Sequence, residues 1–113
     1  MSRISTHVLD IALGRPAQDV PVRLERLEAD RWQLLNSART DRDGRCAQLM
    51  AENAEMVAGV YRLNFDTAAY FGTRRIEGLY PQVEVTFFVR DGEQVFHIPL
   101  LLSPNGYTTY RGS

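Results

Sequence analysis

Hydrophobic and polar residues alternate with a period of two along most of this chain, in short runs separated by turn-forming residues. His7, Leu9, Ile11 and Leu13 share one phase, with Val8, Asp10 and Ala12 on the other, until Gly14-Arg15-Pro16 breaks the run. Val20, Val22, Leu24 and Arg26 oppose Pro21, Arg23, Glu25 and Leu27, a second strand with one polar face. A tight Glu28-Ala29-Asp30 connection, suited to a hairpin, leads into a third strand from Trp32 to Ser37. Asp41-Arg42-Asp43-Gly44 signals a turn, with a short strand following from Arg45 to Leu49.

Ala51 to Val57 is rich in Ala and Glu and fits a loop or a helical turn equally well. Tyr61, Leu63 and Phe65 alternate with Arg62 and Asn64, and Thr67 to Tyr70 reads as a brief helix capped by Asp66 or Thr67. Val83, Val85, Phe87 and Val89 alternate with Gln82, Glu84, Thr86 and Phe88; the hairpin signal Asp91-Gly92 then leads to a strand from Val95 to Leu102. Ser103-Pro104-Asn105-Gly106 turns the chain into a last strand, Tyr107 to Arg111. Roughly seven or eight strands with turn signals about every 8–12 residues predict an all-β sandwich.

The 113 residues suit one domain spanning 1–113, and 44% hydrophobic with 24% charged residues is an ordinary globular balance. Thirteen basic and fourteen acidic residues leave a net charge of -1, which argues against nucleic-acid binding by bulk electrostatics and against polybasic membrane attachment. All thirteen basic residues are Arg, so Schiff-base chemistry, a P-loop lysine and a lysine general base are excluded. One cysteine, Cys46, allows neither an intramolecular disulfide nor a cysteine-rich zinc site. Two histidines without His-Glu-x-x-His spacing leave no metal or cofactor to expect. The apolar run Ile98–Leu102 is too short to cross a bilayer, and Met1 to His7 carries no apolar signal core, so the expected location is cytoplasmic.

The histidines narrow the chemistry. In the Val95–Leu102 strand, Phe96, Ile98 and Leu100 are bulky and in one phase, the natural core face. His97 then lies on the opposite face with Val95, Pro99 and Leu101, where no residue is charged; such a face suggests a subunit interface or a pocket. Pro99 points to an edge or a bulge. His7 is in phase with Leu9 and Ile11, and alternation alone does not say which of that strand's faces is the core. By residue type alone each histidine fits a partly buried imidazole bonded to a carbonyl better than a reactive group, Arg45 and Arg111 taken singly are more often solvated charges, and Cys46 fits a small packing residue better than a nucleophile.

His97-Ile98-Pro99-Leu100-Leu101-Leu102-Ser103-Pro104-Asn105-Gly106-Tyr107-Thr108-Thr109-Tyr110-Arg111-Gly112-Ser113 closely resembles the C-terminal signature of the 5-hydroxyisourate hydrolases, the transthyretin-related enzymes of urate breakdown. Thr6-His7-Val8-Leu9-Asp10, followed by Gly14-Arg15-Pro16-Ala17, resembles the family's first signature, and Thr40 to Arg45 its middle one. The resemblance implies a transthyretin-like sandwich of two four-stranded sheets with one short helix. It also implies a homotetramer, a dimer of dimers, with active sites in a channel between dimers. By the same resemblance the catalytic set is His7, Arg45 and His97, with Tyr110, Arg111, Gly112 and Ser113 binding substrate. The implied reaction is hydrolytic ring opening of 5-hydroxyisourate, with the imidazoles activating water and Arg45 holding a carbonyl or the developing charge. Two rivals share the fold: a transthyretin-like carrier of small ligands without catalysis, and a structural sandwich whose outer face only mediates assembly. A carrier of hydrophobic ligands has no need of the polar set His7, Arg45, His97 and Arg111.

Overall fold

The computed structural model describes residues 2–113 as two facing β-sheets with one short helix. The elements run β1 (Arg3–Asp10), β2 (Arg15–Pro16), β3 (Pro21–Glu28), β4 (Arg31–Arg39), β5 (Arg45–Cys46), β6 (Gly59–Phe65), α1 (Thr67–Thr73), β7 (Val83–Val89), β8 (Val95–Ser103) and β9 (Gly106–Thr109). The first sheet is ordered β2-β1-β8-β9, with β5 also pairing β1; the second is β4-β3-β6-β7. The sandwich follows the alternation. The first sheet has five strands because the two-residue strands β2 and β5 both pair with β1. Every pairing is antiparallel except that of β1 with β8, which lie side by side and parallel.

The core is built from one phase of each strand. Ile4 and Val8 of β1 and Phe96, Ile98, Leu100 and Leu102 of β8 face Val22 and Leu24 of β3 and Tyr61, Leu63 and Phe65 of β6, all buried. Each such side chain removed from water contributes about 1.5–3 kcal/mol, which holds the two layers together. The core phase of β1 is the even one, so Ser5, His7 and Leu9 face away from the core. On β8 the same holds for Val95, His97 and Leu101. The outer faces of these neighbouring strands form one continuous surface.

Several boundaries differ from the periodicity for local reasons. Alternation suggests that the first strand continues to Leu13, but β1 ends at Asp10. There Asp10 Oδ1 accepts hydrogen bonds from the Ala12 and Leu13 backbone N–H groups, and Gly14 N–H donates to Asp10 O, closing a turn. Ile11 and Leu13 therefore stand exposed on a loop. After the second turn only Arg45–Cys46 is strand, although Leu49 N–H still donates to Ile4 O and keeps the chain beside β1. The 51–57 segment is a loop without helix. The last strand is shorter than Tyr107–Arg111 and is followed by an isolated bridge between Gly112 and His97.

Turn chemistry accounts for the rest. The β3–β4 hairpin closes on Ala29 and Asp30, both at positive φ, the backbone a two-residue primed turn demands. Asp66 caps α1 by accepting from Ala69 N–H. The helix is then tied to the first sheet: the Tyr70 hydroxyl donates to Asp10 Oδ2 at 2.7 Å, and burial beside that carboxylate pushes the phenol up to about 12. Among the described residues no helix is long and apolar enough to cross a membrane.

Candidate active site

The outer face of the first sheet gathers three of the residues singled out from the sequence. In the parallel pairing Ser5 lies opposite His97, and His7 lies opposite Pro99. On the other side of β1, His7 lies opposite Arg45 of β5. His7 and His97 are thus diagonal neighbours on one face, with Arg45 beside His7. Both imidazoles are half-buried and Arg45 is exposed.

Arg45 is placed by the Asp41–Gly44 turn. Asp41 Oδ1 accepts from the N–H groups of Asp43 and Arg45, and Gly44 N–H donates to Asp41 O. Gly44 sits at φ 78, and a Cβ there would stand 2.3 Å from Val8 O. Glycine is required because the turn docks directly on β1, with Val8 N–H donating to Gly44 O at 2.7 Å. The same turn presents Asp43 O to His7 Nε2 at 2.9 Å. A carbonyl only accepts, so Nε2 of His7 carries a proton and Nδ1 is the nitrogen left to gain or lose one. The middle signature segment thus delivers the arginine and fixes the tautomer of the first-signature histidine.

His97 is held differently. Its Nδ1 is 2.8 Å from Ser5 Oγ, and Gly112 N–H donates to its own carbonyl at 2.7 Å. The ring lies so close to the chain end that a Cβ on Gly112 would stand 2.6 Å from His97 Cδ2. Burial, then the neighbouring His7, then Arg45 hold the His97 imidazole below its ordinary value of 6.5. Cys46, next to Arg45, is buried in the core, and burial together with Asp41 pushes its thiol up to about 11. It is protonated at neutral pH and packs rather than reacts.

The chain end divides. Gly112 joins the histidines, whereas Arg111 turns the other way. Arg111 pairs with Glu93 at 3.0 Å, donates to Val95 O at 3.3 Å, and lays its guanidinium 4.3 Å over the ring of Phe96, a core-face residue. Arg111 is therefore a clamp on the β7–β8 turn and does not meet the imidazoles within this chain. Tyr110 and Ser113 are exposed.

A family model described as HIUase/Transthyretin family matches residues 4–112. The chain belongs to that family. It is 49% identical to the 5-hydroxyisourate hydrolase of Mus musculus over 114 aligned residues, covering 99% of this chain and 96% of the mouse protein. The solved 5-hydroxyisourate hydrolase of Klebsiella pneumoniae superposes with a TM-score of 0.87 at 39% identity, each chain covered completely at 100%. Sea bream transthyretin in complex with thyroxine superposes with a TM-score of 0.89 at 32% identity, over 97% of this chain and 94% of that one. Both branches of the HIUase/transthyretin family thus share this backbone, and the fold by itself does not choose between them.

Ser5 and Asp43, the groups that hold the two rings, did not stand out in the sequence. Ser5 is one of several small polar residues near the N-terminus, and Asp43 acts through its main chain, which no residue type advertises. Ser5 becomes visible only once β1 and β8 are known to be parallel and in register.

The lowered His97 pKa has a definite sign. Between its lowered value and about 6.5 the unfolded chain binds more protons at this site than the folded one, so stability is lost as pH falls through that window. Titration of the two imidazoles by NMR is expected to give His97 a midpoint below 6.5. Arg45→Ala should raise that midpoint only part of the way back, because burial is the larger cause. A His97 midpoint at or above the ordinary value would contradict the environment described.

Proposed function

We propose that this chain hydrolyses 5-hydroxyisourate, opening its six-membered ring at an acyl–nitrogen bond to give 2-oxo-4-hydroxy-4-carboxy-5-ureidoimidazoline. The observation that carries the reading is the meeting of His7, Arg45 and His97, from three separate stretches of chain, on one outer sheet face. Each matches a need of the reaction. A water must lose a proton as it adds to the carbonyl carbon, the resulting oxyanion needs donors, and the departing ring nitrogen needs a proton when its bond to carbon breaks. Imidazole, a group that takes up and releases a proton within the range near neutrality, suits the proton transfers. The planar five-donor guanidinium of Arg45 suits the carbonyl oxygen. No step calls for a metal or other cofactor.

The site completes itself in an assembly, in this reading a homotetramer built as a dimer of dimers. Val95 and Leu101 share the outer face of β8 with His97, Val95 exposed and Leu101 half-buried, and a second copy laid over this apolar face would wall the pocket and exclude water. At one edge of the sandwich β7 and β9 each have a strand edge with no partner among the described residues. They flank an apolar groove of about 290 Å³ lined by Val85, Phe87, Phe96 and Ile98, which suits edge-to-edge pairing of two copies. Within that assembly Tyr110, Gly112 and Ser113 are the parts of the chain end available to line the pocket, and Arg111 holds the end in place.

The test is direct. The ultraviolet absorbance of freshly generated 5-hydroxyisourate should decay faster with the protein than without it. Unchanged decay accompanied by ligand binding would instead identify a carrier, and unchanged decay without binding a structural sandwich.

A further inference from the structure

The two imidazoles are held by different kinds of partner, and this difference assigns a reacting nitrogen on His97. We propose that Ser5 is a positioning residue that turns Nε2 of His97, rather than Nδ1, towards the substrate. The inference rests on the hydrolase reading for the identity of that substrate, and on geometry for the orientation.

The geometry follows from the strand register. His97 sits on β8 between β1 on one side and the Gly112 bridge on the other. In an imidazole, Nδ1 and Cδ2 both flank Cγ, while Cε1 and Nε2 form the far edge. Nδ1 reaches across to Ser5 Oγ at 2.8 Å, and the Cδ2 side presses against Gly112. With both flanks engaged by neighbours on either side of β8, the far edge points away from the sheet. Among the described residues Nε2 has no hydrogen-bond partner of its own. It is the ring nitrogen left to face a ligand.

A hydroxyl is well suited to this task. It accepts from Nδ1–H when the ring is charged or holds its proton there, and by rotating it donates to Nδ1 when the proton sits on Nε2. The ring therefore keeps one orientation while Nε2 gains and loses a proton. A carbonyl, like the one facing His7, only accepts. Ser5 is half-buried and outside the core, so its hydroxyl is not needed to hold the sandwich together.

The experiment compares Ser5→Ala, Ser5→Thr and Ser5→Val in the full chain by steady-state kinetics and by nitrogen-detected NMR of the imidazoles. The chain has only two histidines, so assignment is simple. Ser5→Ala and Ser5→Val should lower kcat by about five- to tenfold, the worth of one neutral hydrogen bond, with KM nearly unchanged. Ser5→Thr, which keeps the hydroxyl and matches Val in shape, should restore most of the rate. In the NMR spectra His97 should lose a single well-defined tautomer in the Ala and Val variants and keep it in the Thr variant, with His7 unaffected. Equal rates in the Thr and Val variants, or His97 ring shifts unchanged by loss of the hydroxyl, would overturn the proposal. If the wild-type chain itself leaves 5-hydroxyisourate untouched, the hydrolase reading fails, while the NMR comparison still decides whether Ser5 orients the ring.

Discussion

Replacing His97 or Arg45 by alanine is expected to lower turnover of 5-hydroxyisourate by about a hundredfold or more, the range in which lost acid–base groups and lost oxyanion donors fall. Both side chains point away from the core, and neither leaves a buried partner stranded. His97 gives up one bond to a half-buried hydroxyl, and Arg45 is exposed. The melting temperature and the assembly state should therefore stay close to those of the wild type while the rate falls. Arg45→Lys should recover little of it, because a lysine cannot offer two parallel donors to one carbonyl oxygen and its neighbour. Wild-type-like turnover in a folded, assembled His97→Ala or Arg45→Ala variant would remove that residue from the mechanism.

The fold was legible because its core obeys a period of two almost without exception. Val83, Val85, Phe87 and Val89 pack inward as their alternation with Glu84, Thr86 and Phe88 predicts, and Phe96, Ile98 and Leu100 do the same on β8. Alternation misleads where a turn happens to continue the pattern, as at Ile11 and Leu13, because side-chain periodicity carries no record of the Asp10 bonds that close the loop. It also misreads Glu25, placed on a polar face yet 9% exposed. Arg62 covers that carboxylate, bonded to it at 2.9 Å and stacked 4.1 Å over Trp32, a pairing that needs strand neighbours to be known.

The site was legible in part. The phase of Phe96 and Ile98 put His97 on an outer face from residue types alone, but nothing local decided the face of His7. That choice depends on β1 running parallel to β8, a pairing between the two ends of the chain that no short-range pattern encodes. The separation of Arg111 from Gly112 has the same origin. Adjacent residues near a β-bridge point to opposite faces, so one signature tetrapeptide supplies both a neighbour of the imidazole and a clamp over Phe96.

Gly112→Ala is the second substitution expected to be severe, and its effect should fall on rate far more than on stability. The new Cβ would stand 2.6 Å from His97 Cδ2 and 3.3 Å from both Cγ and the His97 carbonyl oxygen. Two movements relieve that overlap. The ring can swing towards β1, which drives Nδ1 against Ser5 Oγ and distorts their bond, or the chain end can lift, which breaks the bond from Gly112 N–H to His97 O. Either displaces the imidazole or the pocket wall by about an ångström, a misplacement that costs about a hundredfold in a reaction needing aligned groups. The core packs elsewhere, so the melting temperature should change by only a few degrees, of the order expected for about 1 kcal/mol. Gly72→Ala on α1, where nothing lies within 4 Å of the new methyl, serves as the control and should leave turnover intact. Combining Gly112→Ala with Ser5→Ala should cost less than the product of the two single losses, because both substitutions act through the pose of the same ring. Full multiplicativity would mean that the serine and the glycine act on His97 independently, and undisturbed turnover in Gly112→Ala alone would mean that the ring pose next to the chain end is not the reactive one.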